Sequence, residues 1–187
     1  MDEGIRKRVI LFKIGGKKFG IEVNKVKKII KEKGDIQITK VDGAPPYIIG
    51  ISEIEITQGE QALVSFIDIR KIIDIGNLEK TEQKEIQEKK YEKKEEEDYE
   101  SEEKQLSKRR LFMIIPTGKT KDFIGILIDD IEEIEEFDSI NSKLYPPPEI
   151  KNIKEFFDGI IVAYEGKNKG ERIFIINPSK ISEFIVE

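Results

Sequence analysis

The chain writes one ten-residue pattern twice. Gly20-Ile21-Glu22-Val23-Asn24-Lys25-Val26-Lys27-Lys28-Ile29 and Gly125-Ile126-Leu127-Ile128-Asp129-Asp130-Ile131-Glu132-Glu133-Ile134 share a Gly-Ile start, branched apolar residues at matched spacing and a closing Ile. Their polar slots are opposite in sign: Lys25, Lys27 and Lys28 in the first, Asp129, Asp130, Glu132 and Glu133 in the second. Further along, Gly50 matches Gly159, Phe66 matches Phe174, Asp68 matches Asn177 and Ile72 matches Ile181, at separations of 108 or 109 residues. The chain therefore reads as a tandem duplication of one small unit. A unit of roughly 70 residues is a poor independent core, so the two copies are expected to pack on each other.

The local signals are those of strands. Of 187 residues 36 are Ile, and β-branched side chains fit pleated, half-buried surfaces. Arg8 to Ile14 and Lys17 to Val23 flank Gly15-Gly16, a hairpin signal. Val23, Val26, Ile29 and Ile30 recur at helical spacing, which suits one helical turn or a bent strand. Strands are expected at 36–41, 48–56 and 62–69, with Pro45-Pro46 in an extended loop between the first two. Asp68 stands where a short helix begins and can cap it. The second half repeats the scheme: strands at 111–115, 122–128 and 172–176, a proline run at 146–148, and Asn177 opening a last short helix. Many short strands with Gly and Pro turns predict an all-β fold of two small barrels. The first half spans about 8–76 and the second about 111–187.

Between the halves lies a different kind of sequence. Residues 79–110 hold 12 acids and 10 bases, and their only apolar positions are Ile86, Tyr91, Tyr99 and Leu106. Such a segment cannot bury enough surface to offset its ordering entropy, so a solvated insert is expected.

Composition removes whole classes of function. The chain has no Cys and no His, hence no thiolate nucleophile, no disulfide and no imidazole base or ligand. Asp129 and Asp130 are adjacent in an extended pattern, where neighbouring side chains face opposite ways. No catalytic residue, metal site or cofactor is assigned. The net charge of −5 disfavours general nucleic-acid binding. No apolar run approaches the ~18 residues of a membrane helix, and no apolar leader opens the chain. A soluble cytoplasmic binding protein is expected.

The motifs, in their order and spacing, resemble the CheW-like chemotaxis adaptor family. Phe19-Gly20-Ile21-Glu22-Val23 with Val26 and Ile29, then Pro46 to Ile51, then Ile67-Asp68-Ile69-Arg70 resemble its first half. Gly125 to Asp129 with Ile131 and Ile134, Ile140, the 146–148 prolines and Phe157-Asp158-Gly159-Ile160 resemble its second. The resemblance implies two SH3-like five-stranded β-barrels side by side. It implies a non-enzymatic protein that ties the cytoplasmic tips of methyl-accepting receptors to the regulatory domain of the histidine kinase CheA. On that basis Val26, Lys28, Ile30, Ile51, Ile54 and Glu55 are the candidate receptor groove, and Gly125, Asp129, Asp130 and Glu132 the candidate kinase contact. The competing reading is an SH3-like scaffold outside chemotaxis.

Two departures stand out against that family. Where it usually reads Asn-Leu-Arg-Gly after the position of Gly50, this chain has Glu53-Ile54-Glu55-Ile56, so the family's arginine becomes Glu55. Where the family often has an acid, this chain has Lys28. A reversed Lys28–Glu55 salt bridge is expected. The basic strip Lys25, Lys27, Lys28, Lys31 and the acidic strip 129–136 are expected on different barrels. There they would favour head-to-tail contact with CheA or self-association with another copy.

Overall fold

A computed structural model describes residues 6–32, 36–73, 110–117, 122–147 and 154–186. Of the expected insert at 79–110 only Arg110 is described; the rest of it and the turn at Gly34-Asp35 lie outside the described residues. Strands β1 (Lys7–Ile14) and β2 (Lys17–Glu22) form a hairpin across Gly15-Gly16, both with positive φ as a two-residue hairpin turn requires. A single 3₁₀ turn, Val23–Lys25, leads into β3 (Lys28–Lys31). The helical spacing thus resolves as a turn followed by a strand. A second hairpin, β4 (Ile48–Thr57) and β5 (Glu60–Ile67), ends in the 3₁₀ turn Ile69–Lys71. The second copy follows as β6 (Leu111–Pro116), β7 (Phe123–Ile128), β8 (Asp130–Phe137), β9 (Ser142–Tyr145), β10 (Phe157–Ala163), β11 (Arg172–Ile176) and α1 (Pro178–Val186).

Two curled sheets result, ordered β8-β1-β2-β11-β10-β9 and β3-β6-β7-β5-β4. They are the same sheet made twice. Each opens with an antiparallel edge pair, continues through a hairpin, crosses a parallel pair and ends in a second hairpin. One has the five strands expected of it, and β9 adds a sixth to the other. The segment expected as a strand at 36–41 supplies only the bridge Thr39–Ile51. The Asp42-Gly43 turn and the two prolines that follow leave it no length in which to extend.

The halves do not each close a barrel of their own. The first hairpin, β1–β2, sits in the sheet of β8 to β11, and the second-copy hairpin, β6–β7, sits with β3 to β5. The division at the insert is therefore not the division between the sheets. This exchange explains the unbroken apolar runs of β1 and β6, because both faces of each are buried. Val9 and Leu11 face the interior of the six-stranded barrel, while Ile10, Phe12 and Ile14 face a core shared by both sheets. Phe112 and Ile114 fill the five-stranded barrel, and Met113 and Ile115 join the shared core.

The repeated Gly-Ile has a packing cause. Gly125 lies opposite Phe66 in the parallel pair β5–β7, and a Cβ there would come within 2.7 Å of the Phe66 ring. Gly20 lies opposite Ile175, whose Cδ1 would stand 2.8 Å from a Cβ. By register the partner of Phe66 in the second copy is Ile175, not Phe174. Gly50 pairs with Phe66 and Gly159 with Ile175. Phe174 instead points into the shared core.

Candidate protein-binding site

β3 and β4 are the two edges of the five-stranded sheet, and the curl of the sheet brings them together. Lys28 on β3 spans the seam, its Nζ donating to the backbone carbonyl of Glu55 on β4 at 2.7 Å. The Glu55 carboxylate turns the other way and accepts from the Gly59 N–H at 2.9 Å, so the expected pairing of the two side chains is replaced by a bond to the backbone. The reason is local: an edge carbonyl is an unsatisfied acceptor, and the Gly59 turn offers its N–H to the carboxylate. Ile30 and Ile54 pack beneath the seam in the five-stranded barrel. Ile54, at 6% exposure, has no surface to offer a partner. Val26 packs against the shared core, and Ile51, half-buried, bonds through its backbone to Thr39. The open face of this site is therefore Lys28, Ile51 and Glu55, with Val26, Ile30 and Ile54 as its floor.

The four residues assigned to a kinase contact separate. Gly125 is buried in the middle of its sheet against Phe66 and touches no surface. Asp129 clips the corner between β7 and β8 to the first hairpin. Its Oδ2 accepts from the Gly15 N–H at 2.6 Å, and its Oδ1 lies 3.4 Å from Arg70. Glu132 is committed to Lys13 at 2.9 Å and Lys18 at 2.8 Å. Asp130 is exposed, and its carboxylate accepts from the Ile131 N–H.

Sequence reasoning missed two ionic clasps at the junction of the sheets. Arg70 grips Asp68 with two nitrogens, at 2.8 and 3.0 Å, and reaches Asp129. Its pKa is raised, chiefly by the hydrogen bond to Asp68. At the equivalent place in the other copy Lys25 meets Asp158 at 3.1 Å, and Asp158 accepts from the Asn177 amide at 2.7 Å. Asp68 and Asn177 are also the caps foreseen from sequence. Asp68 accepts from the Arg70 N–H and Asn177 from the Lys180 N–H. The opposite charges of the repeated stretch thus meet opposite partners inside the molecule.

A third network closes the mouth of the six-stranded barrel. Asn168, 1% exposed, donates to Glu133 and Glu135 and accepts from Lys18. Lys18 also pairs with Glu132 and Glu171. The hydrogen-bonded pairing with Lys18 holds the Glu132 carboxyl below its ordinary range, against the opposing effect of burial. Burial lowers the Lys18 pKa, but its bonds to Glu132 and Glu171 outweigh that and raise it. For a depressed carboxylate the stabilisation is complete above the unfolded pKa and is lost as pH falls through the folded one. For the raised lysine it is complete below its ordinary value and is lost as pH climbs past it. Glu132→Gln is therefore expected to cost roughly 1–2 kcal/mol near neutrality, and the gap from the parent should narrow in acid. Melting temperatures of both proteins across pH 2–8 check this; a gap that persists unchanged in acid would refute it.

Among the described residues no cluster of acids is placed to hold a metal ion, and no helix is long and apolar enough to cross a membrane. No curated protein sequence matches the chain. Among solved structures, the scaffolding protein TtCheW from Thermoanaerobacter tengcongensis has the same fold. Its TM-score is 0.58 at 20% identity, over 92% of this chain and 90% of that one. The family model described as CheW-like domain matches residues 8–185, a span that takes in both sheets, both clasps and the β3–β4 seam. The chain belongs to the CheW-like domain family.

Proposed function

We propose that this protein is a non-enzymatic cytoplasmic adaptor of chemotaxis, coupling methyl-accepting receptors to the histidine kinase CheA through contacts of its two barrels. The observation that carries this reading is the family match over residues 8–185, on a chain that builds both curled sheets.

Within that reading the receptor tip meets the β3–β4 seam at Lys28, Ile51 and Glu55, and the kinase regulatory domain meets the Asp130 end of β8. With Glu55 where the family usually has arginine, the receptor segment opposite it carries a cation. Like charges facing each other across an interface are penalised, so the change alters which receptor is chosen more than how stable the adaptor is. Co-sedimentation with receptor fragments and with CheA tests this. Glu55→Arg is expected to weaken receptor binding about tenfold while leaving kinase binding within about twofold, since one like-charge contact acts on one partner only. Unchanged receptor binding would remove the seam as the site. Failure of the parent protein to bind either partner would favour a scaffold outside chemotaxis.

A further inference from the structure

An aspartate followed by glycine can close a ring on itself. The backbone nitrogen of the second residue attacks the side-chain Cγ of the first, and glycine brings no Cβ to obstruct the approach. The chain holds two such pairs, Asp42-Gly43 and Asp158-Gly159. Their surroundings in the fold are opposite.

Asp158-Gly159 is locked into β10. The Asp158 carboxylate lies 3.1 Å from the Lys25 Nζ and accepts from the Asn177 amide at 2.7 Å. Gly159 is paired with Ile175 and lies so close to the Tyr145 carbonyl oxygen that a Cβ would stand 2.5 Å from it. Turning the Gly159 nitrogen onto the Asp158 Cγ would require β10 to part from its neighbours. Asp138, which precedes the small Ser139, is also held. Its Oδ1 accepts from the N–H groups of Ile140 and Asn141 at 2.8 and 3.0 Å.

Asp42-Gly43 has no such restraint. Both residues are exposed, in the turn where the Ala44 N–H donates to the Val41 carbonyl at 3.2 Å. Gly43 has φ +75°, and nothing lies within 4 Å of where a Cβ would stand. Among the described residues the Asp42 carboxylate makes no hydrogen bond or ion pair, and the Gly43 N–H donates to nothing. A single long turn bond separates this pair from local freedom, whereas the other pair is freed only when strands separate.

We propose that Asp42 is a site of spontaneous backbone modification, at which the chain converts its ordinary peptide link to an isoaspartyl link, and that the fold confines the reaction to this one of its two Asp-Gly pairs. The Gly43 nitrogen bonds to Cγ of the protonated Asp42 carboxyl. The amide proton and the carboxyl hydroxyl leave together as water, giving a cyclic imide. The imide then takes up one water. Opening at Cγ restores aspartate. Opening at the main-chain carbonyl leaves the backbone running through Cβ and Cγ, one atom longer, with the mass unchanged. The added atom falls inside the Val41–Ala44 turn, next to the reciprocal Thr39–Ile51 bonds that tie this segment to β4. Ile51 is on the open face of the β3–β4 seam, so the modified turn borders that face.

The test incubates the full-length protein at neutral pH in heavy-oxygen water, which enters at each imide hydrolysis. Digestion in ordinary water and peptide mass spectrometry then read the label. Label at Asp42 is expected to exceed label at Asp158 about tenfold or more, because a turn opens locally at a far lower free energy than a paired strand. Electron-transfer fragmentation should place an isoaspartyl residue at position 42. In urea the two aspartates should label at similar rates. Equal label at both sites in the native protein, no label at Asp42, or the native ratio persisting in urea overturns the proposal. Asp42→Glu, whose longer side chain must close a larger ring, should remove the label from its peptide; label that remains there overturns it as well.

Discussion

Phe19→Ala is expected to cost about 3–5 kcal/mol and to melt both barrels together. Phe19 is fully buried on β2, stacked on Phe12 at 6.1 Å and Phe157 at 6.2 Å and tilted against Phe174 at 5.8 Å. Deleting the ring removes its transfer free energy and leaves a cavity that three other rings cannot collapse to fill. The cavity would lie in the core that both sheets share, which also holds Ile67, Met113, Ile115 and Ile126 of the other sheet. Neither barrel owns that core, so neither can outlast it. Denaturant unfolding followed by circular dichroism, with amide exchange read separately on β4 and β10, checks both parts. A loss under about 1 kcal/mol, or two separate transitions, would show that the barrels are independent.

The second large effect lies at the paired glycines of the outer hairpins. At Gly159 a Cβ would stand 2.5 Å from the backbone oxygen of Tyr145, and at Gly50 it would meet the backbone oxygen of Thr39. A backbone oxygen cannot rotate away as a side chain can, so the neighbouring strand must shift. Gly159→Ala is expected to cost about 2–3 kcal/mol and Gly50→Ala less. The first displaces all four residues of β9, paired from Ser142 to Tyr145, while the second disturbs one bridge, Thr39–Ile51. Thermal melts of the two variants give the ranking, and the reverse order would contradict the account.

Much of this was readable in the sequence because it is local. Gly15-Gly16 marked its hairpin, Asp68 and Asn177 marked their caps, and the apolar runs marked strands. The exchange of hairpins was hidden by the very feature that revealed the duplication. Copies with one skeleton disguise which hairpin each edge strand joins, because the slots that differ, Ile30 against Glu135 and Glu32 against Phe137, tell only once the register is known. Matching Phe66 to Phe174 followed residue type, whereas the sheet follows register and places Ile175 in that slot. The Lys28–Glu55 expectation found the right neighbours and the wrong acceptor, since a free backbone carbonyl at a sheet edge leaves no trace in side-chain identity. The clasps Arg70–Asp129 and Lys25–Asp158 join residues 59 and 133 apart, beyond any spacing rule. Gly125, conspicuous in sequence, turned out to be a buried contact with Phe66.

The exchange also sets an order in time. As the chain leaves the ribosome, β1–β2 emerges ahead of the strands that follow it here, yet its parallel neighbour β11 begins only at Arg172. The sheet β3 to β7 is complete once Ile128 has emerged, so it can close while synthesis continues. The leading hairpin gains β8 beside β1 once Phe137 has emerged, but β2 stays an unpaired edge, and Val9 and Leu11 lack Ile173 and Ile175 beside them, until β11 follows. Contacts so distant in sequence are slow to form, and apolar surface left waiting invites aggregation. The β1–β2 hairpin thus precedes its parallel partner by some 150 residues, and its β2 edge is the stretch through which a truncated or stalled product would be exposed to aggregation.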